Sequence, residues 1–311
     1  MAIYLVTGAT GKQGGAVAHA LLSSGHQVHA FVRNPSSEAS KALEAAGATL
    51  FTGTYSSLPA LQEAAKGCTG VFLNTMPTPS PWGTELIEAK NIITASLSSG
   101  VKSIIYSSVL KAGQHETFPT WDPKFPMAGY WISKDAIEKA VRGAGFETWA
   151  ILRPGYFMSN LLVPTSFYMY PELPEKGIFK SAYGFQTKLA LVDPWDIGKV
   201  AAKVFQESEK WNGREVDVAD KEVSVKDTVG ILEAVSGKAI KIEDFGTGEE
   251  VPDFRKRIAE SQRWLKALDE AGIGSPDLAS LREIGVKTRG LKDFLEEKKE
   301  EGILGQSIGP L

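Results

Sequence analysis

The sequence is poor in the residues that build cross-links and metal centres. A single cysteine, Cys68, among 311 residues excludes an internal disulfide and argues against a cysteine zinc site. Its expected role is a small buried side chain ahead of a strand, in a reducing, cytoplasmic setting. The four histidines, His19, His26, His29 and His115, show no ligand spacing with acids or with the cysteine, so no metal is expected. No apolar run is long enough to span a bilayer, and with a strand pattern starting at residue 2 no signal peptide is expected. Charge of one sign is not in excess either. The net charge of −3 excludes the strongly basic surface that nucleic acid or an anionic membrane would require. Internal repeats and low-complexity linkers are missing. The remaining composition, 43% hydrophobic and 23% charged, is that of a globular monomer or homodimer whose partner is a small molecule.

What is present is concentrated at the start. Ile3 to Val6 is a short apolar run rich in β-branched and aromatic residues, and it ends in a turn where Gly8, Gly11 and Gly14 recur at every third position. The pattern predicts a buried strand feeding a helix through a glycine loop. A side chain at Gly8 or Gly11 would hold a pyrophosphate off the backbone N–H groups, and one at Gly14 would hold the helix off the sheet. The helix N-terminus then offers unpaired N–H groups and its positive dipole end to the anion. Gly8, Thr10, Gly11, Lys12, Gln13 and Gly14 are therefore the expected cradle. An amphipathic stretch (Ala16, Val17, Ala20, Leu21, Leu22) and a second strand at Val28 to Val32 follow, which is the order a dinucleotide-binding βαβ unit requires. The string Thr7 to Gly15, TGATGKQGG, resembles the extended and atypical short-chain dehydrogenase/reductases, most closely the NmrA-like family.

Strand patterns at about 2–6, 28–32, 48–52, 70–74, 103–107 and 148–152 alternate with helical ones at about 12–24, 37–46, 58–66, 84–99 and 129–144. This predicts an α/β, Rossmann-type, doubly wound parallel sheet, with ligands outside the carboxyl ends of its strands. Residues 1–155 are read as the NADP-binding core, with late strands near 188–220 returning to it. Residues 156–187 and 221–311 are read as a substrate lid and a smaller, mostly helical C-terminal lobe. Asp196 is expected to cap the helix that follows the segment Leu189 to Asp196.

The end of the second strand bears on the cofactor. An NAD enzyme usually carries an acid there for the ribose hydroxyls, whereas this chain reads Phe31, Val32, Arg33, Asn34, Pro35, Ser36 and has no acid before Glu38. A guanidinium at that point can fork onto a 2′-phosphate, with Asn34, Ser36 and Lys12 adding donors, so NADPH/NADP is the expected cofactor. After the third strand, Thr54 stands near the position where the resemblance implies an acid for the adenine. After the fourth, Asn74, Thr75 and Met76 should run beside the cofactor ribose. Pro77, Pro79 and Pro81 with Trp82 should make a stiff loop at the site mouth.

The fifth strand ends in Tyr106, Ser107 and Ser108, and Tyr130-Trp-Ile-Ser-Lys134 follows about two dozen residues later. This spacing places a phenol and an ammonium on one helix face, where the ammonium favours phenolate and readies the tyrosine for proton exchange. The resemblance implies that Tyr130, Lys134 and Ser108 are catalytic and that Ser107 and Lys134 touch the cofactor. It also implies that Pro154, Gly155, Tyr156 and Phe157, in the stretch beginning Arg153-Pro-Gly, line the nicotinamide. Two plainer readings stay open: Lys134 holds ribose while Tyr130 is a pocket wall, or both are surface polar residues.

Eight aromatic residues fall between Tyr156 and Phe185, a tenth of the sequence carrying over a quarter of its Trp, Tyr and Phe. Prolines and a glycine interrupt them, and they do not keep a helical period. An irregular lid lined for a large apolar, polycyclic substrate is expected, with a lobe interface as the alternative. Trp82, Trp121, Tyr130, Tyr156, Phe157, Phe167 and Tyr168 are its candidate walls. The leading function is NADPH-dependent reduction of a carbonyl or activated C=C or C=N bond. A biosynthetic cyclase and a non-catalytic NADP(H)-sensing regulator are the alternatives. If Arg33 forks onto the 2′-phosphate, a contact of roughly 1.5–3 kcal/mol, calorimetry should find NADPH bound at least tenfold tighter than NADH. The preference should vanish in Arg33→Ala.

Overall fold

The computed structural model describes residues 1–77, 82–119, 121–245 and 253–310. Its first half alternates strand and helix: β1 (Ile3–Val6), α1 (Lys12–Ser23), β2 (Gln27–Val32), α2 (Glu38–Ala45), β3 (Thr49–Thr52), α3 (Leu58–Ala65), β4 (Gly70–Leu73), α4 (Thr84–Ser98), β5 (Ser103–Ser107), α5 (Ala128–Arg142) and β6 (Thr148–Pro154). The second half is less regular. It runs β7 (Tyr156–Phe157), α6 (Thr165–Met169), α7 (Glu172–Lys176), β8 (Ile178–Ser181), β9 (Lys188–Val192), α8 (Pro194–Gln206), α9 (Ser208–Trp211) and β10 (Arg214–Val218). It then closes with β11 (Glu222–Ser224), α10 (Val225–Ser236), β12 (Lys241–Asp244), α11 (Asp253–Glu270), α12 (Ala279–Ile284), α13 (Leu291–Glu300) and α14 (Ile303–Gln306).

Seven parallel strands form the central sheet in the order β10-β6-β5-β4-β1-β2-β3. Alternation along each strand supplies both faces of the core. Tyr4, Val6, Phe72 and Ile105 join Val17 and Leu21 of α1 and Ile197 and Val200 of α8 on one face. Leu5, Val71, Leu73, Ile104 and Tyr106 join Leu61 of α3, Ile92 of α4 and Ile137 of α5 on the other. Buried Cys68 sits in this second cluster, as a small side chain ahead of β4.

Two expectations are corrected. Of the late strands, β10 joins the central sheet beside β6, but β9 does not; it pairs with β7 and β11 in a small separate sheet. Gly155 makes this possible, because a Cβ there would lie 2.2 Å from the Ala190 carbonyl oxygen of β9. The cap of α8 is Asp193, whose side chain accepts the Trp195 N–H, with Pro194 opening the helix. Asp196 is instead buried inside the first turn and accepts the Arg289 N–H at 2.7 Å.

A third apolar cluster fills the lobe, with Tyr170, Phe179 and Tyr183 packed among Val229, Phe294 and Leu295. Half of the expected lid is thus ordered into α6, α7 and β8, and these three aromatics are core. The lobe interface accounts for them. Phe167, Tyr168 and Phe185 remain exposed.

On α5, residues 130, 134, 138 and 142 recur every fourth position along one ridge. The far end of this ridge is clamped. Arg153 of β6 donates from Nε and Nη2 to the Glu138 carboxylate at 2.9 and 2.6 Å, and its Nη1 pairs with Glu215 of β10 at 2.6 Å. Arg142 bridges the same two glutamates. Glu138 is fully buried, so removing its charge leaves the Arg153 guanidinium with the partly exposed Glu215 as its remaining carboxylate. Glu138→Gln should lower the unfolding free energy by about 3 kcal/mol in denaturant titrations followed by circular dichroism.

Candidate active site

The glycine loop is built by close approach. Gly8 has φ +62, and a Cβ on it would lie 2.7 Å from the Asn74 amide nitrogen. A Cβ on Gly14 would lie 2.3 Å from the Gly8 carbonyl oxygen. The Gly11 N–H donates to that carbonyl at 2.9 Å, closing the turn. As the N-cap of α1, Gly11 offers no side-chain acceptor, and the first turn carries no acid. The helix end therefore keeps its donors and dipole for an anion, and the cradle fits a dinucleotide pyrophosphate. Thr10 and Lys12 are exposed beside it.

Below the loop, three expected residues meet. The Ser107 hydroxyl donates to Gln13 Oε1 at 2.5 Å, and Gln13 Nε2 reaches Asn74 Oδ1 at 3.5 Å. The backbone N–H of Asn74 donates to the Thr7 hydroxyl, which donates onward to the Phe72 carbonyl. Lys12 is drawn elsewhere, with Nζ donating to the Thr165 hydroxyl of α6 at 2.8 Å. Tyr55, which was no candidate, lies against the loop and accepts the Gly8 N–H at 2.7 Å while its ring stacks on Phe31. Its only signal in the sequence is an aromatic residue where the resemblance implies an adenine contact.

At the end of β2, Arg33 is exposed. Asn34 and Ser36 are partly spent on their own turn, where Asn34 Oδ1 accepts the Ser36 N–H at 3.0 Å. Thr54 shares a hydrogen bond with Ser56. Met76 is exposed, and Thr75 is buried.

The Tyr130–Lys134 pair is present on one face of α5, but a third residue changes its electrostatics. Lys134 is buried, and its ammonium donates to Glu85 Oε1 of α4 at 2.7 Å. The same nitrogen lies 5.8 Å from the Tyr130 ring centroid and 5.6 Å from that of Tyr106. Glu85 also accepts the Thr75 hydroxyl on Oε1 and the Ser133 hydroxyl on Oε2, both at 3.0 Å. Tyr130 is half-buried. Burial first, and Glu85 second, push its phenol well above the usual tyrosine range. The expected lowering by Lys134 is thus reversed. An acid in the first turn of a helix reads in sequence as an ordinary dipole partner. Ser108 is buried beside Tyr106, with its N–H donating to the Leu152 carbonyl.

Aromatic side chains wall the pair. Trp82 lies flat over Gly129, where a Cβ would come within 2.4 Å of its ring. Tyr130 packs with Phe118, Trp121, Phe125, Trp131 and Trp264, and Trp121 stacks on Trp264 at 5.3 Å. Trp264 comes from α11, more than a hundred residues away, and nothing local in the sequence connects it to the site. Pro79 and Pro81 lie outside the described residues. Tyr156 points toward the lobe, its hydroxyl 2.6 Å from that of Tyr170. Burial pushes the Tyr156 phenol up to about 12 against its hydrogen bonds to Tyr170, Tyr183 and Asn160. Phe157 packs on the central core, and Pro154 ends β6 with its carbonyl accepting the Leu110 N–H. Phe167 and Tyr168, on α6, are exposed.

Residues 3–273 match the NmrA-like family profile. The chain belongs to the NmrA-like family. It is 28% identical over 256 residues to the NmrA-like oxidoreductase lnaB of Aspergillus flavus, covering 76% of this chain and 74% of the relative. It is 27% identical over 293 residues to quinone oxidoreductase 2 of Escherichia coli, covering 93% and 89%. Among solved structures, the Escherichia coli NADPH-dependent quinone oxidoreductase complexed with NADPH is similar at TM-score 0.74 and 26% identity, covering 95% of this chain and 99% of that one. The negative transcriptional regulator NmrA in complex with NADP is similar at TM-score 0.75 and 19% identity, covering 97% and 98%, a likeness of fold.

Within this NmrA-like chain, no group of three or more His, Cys, Asp or Glu side chains could hold a metal ion among the described residues. No helix among them is long and apolar enough to cross a membrane. The Trp82–Gly129 contact can be tested directly. Gly129→Ala should push Trp82 off α5 and shift tryptophan emission to the red, a change that a Trp82→Phe background abolishes.

Proposed function

We propose that this chain is an NADPH-dependent reductase of a large apolar, polycyclic acceptor of the secondary-metabolite type, reduced at a carbonyl or activated C=C or C=N bond. The observation that carries this reading is the half-buried Tyr130, its ring 5.8 Å from the Lys134 ammonium and packed against a cluster of tryptophan and phenylalanine. A polar handle inside an apolar wall suits a planar acceptor with one heteroatom to orient. The family membership, and relatives named as oxidoreductases, support an NAD(P)-dependent oxidoreductase or regulator.

A nicotinamide dinucleotide, when bound, supplies the hydride. The α1 N-terminus would hold its pyrophosphate, Arg33 its 2′-phosphate, and Asn74, Ser107 and Lys134 its nicotinamide half. Trp82 and the Phe118–Trp121–Trp264 group would exclude water and stack the acceptor. Tyr130 would donate a hydrogen bond to the acceptor's heteroatom, and the proton that balances the hydride would reach the reduced acceptor from solvent. The raised phenol of Tyr130 favours one second reading, a non-catalytic sensor that uses the same dinucleotide site.

Cofactor absorbance with NADPH and a panel of quinones, enones and cyclic imines separates the two. Turnover is the expected result. Tight NADPH binding with no turnover of any class would favour the sensor. Tyr130→Phe should cut turnover about tenfold, the worth of one hydrogen bond, and leave NADPH affinity unchanged. Lys134→Ala should damage both.

A further inference from the structure

The deepest charged group of the site is one that the Tyr–Lys pattern does not include. Glu85 and Lys134 are exposed by only 1% and 4%. Their contact is enclosed from both sides, since Glu85 takes hydroxyl hydrogen bonds from Thr75, just past β4, and from Ser133 of α5. Three donors converge on one carboxylate, and they join the end of β4 to α4 and α5. Such a buried polar network holds its members in one arrangement.

We propose that Glu85 is a positioning residue: it locks the Lys134 ammonium into a charge-neutral pair and so keeps Tyr130 a neutral phenol that orients an acceptor without cycling through phenolate. The consequence for turnover rests on the reductase reading, while the electrostatics stand without it. An unpaired ammonium 5.8 Å from the centre of the Tyr130 ring would favour its phenolate. Glu85, hydrogen-bonded to that ammonium, cancels this field at Tyr130. The other groups facing the pair respond the same way. Tyr106 of β5 is pushed up by burial, then by Glu85, Tyr130 and Glu138. Glu88, one turn along α4, is pushed up by burial and Glu85, with Arg33 opposing.

The test is a pH titration of ring-labelled tyrosines by NMR, with the Tyr130 signal assigned by its loss in Tyr130→Phe. In the wild type, Tyr130 should stay neutral beyond the usual tyrosine pKa of about 10. Glu85→Gln keeps the side chain's shape and removes its charge, so burial is left to act against the Lys134 ammonium alone and Tyr130 should titrate lower than in the wild type. Glu85→Asp, which restores the charge, should return it toward wild-type behaviour. A wild-type Tyr130 that titrates below the usual range overturns the proposal, whether or not Glu85→Gln folds. A Glu85→Gln protein whose Tyr130 titrates as in the wild type overturns it too. No substrate enters the measurement, so a chain that binds NADPH and reduces nothing would sink the reductase reading and leave this result standing.

Discussion

Everything that faces the ligand depends on how closely α1 approaches its neighbours. Gly14 brings the helix onto the carbonyls of Thr7 and Gly8, and Gly198 of α8 brings a second helix onto the Ala16 carbonyl, where a Cβ would come within 2.4 Å. α1 is held between these contacts with its N-terminus bare. A methyl group at either glycine would tilt or lift the helix, and the open N–H groups would no longer point over the ends of β1 and β4. The Ser107–Gln13–Asn74 chain is strung from the same helix, so it would move as well.

The central sheet was legible because its signals are local. Strands buried on both faces read as short apolar runs, helices show their own period, and six strands and five helices fall within about two residues of their expected positions. Strand partnership is a different matter. Nothing within β9 or β10 names its neighbour, and the close approach of Gly155 to the Ala190 carbonyl, which goes with the β7–β9 pairing, is seen only in the fold. The Asp193 cap was missed because a second aspartate, Asp196, stands three residues on and has the same chemistry. The aromatic-rich segment was misread in part, since a period broken by proline suits a lobe core of short elements as well as a lid.

The site was half legible. Tyr130 and Lys134 announce themselves by spacing within a single helix. Glu85 and Trp264 reach the pair from α4 and α11, Tyr55 reaches the glycine loop from beyond β3, and no spacing in the sequence announces any of them. Such residues decide whether a motif behaves as its pattern suggests. Here the ammonium that should activate a phenol is already engaged by a carboxylate, and the desolvation of the phenol prevails.

The ridge along α5 divides labour between its ends. Tyr130 and Lys134 occupy the first half, while Glu138 and Arg142 tie the second half to β6 and β10 through Arg153 and Glu215. The helix is thus indexed from behind, like a drawer registered against the back of its cabinet. The segment that precedes the helix bears Phe118, Trp121 and Phe125, the aromatic wall in front of the phenol. Changes in this front panel can therefore redraw the wall around the phenol while the phenol itself stays where the rear clamp puts it.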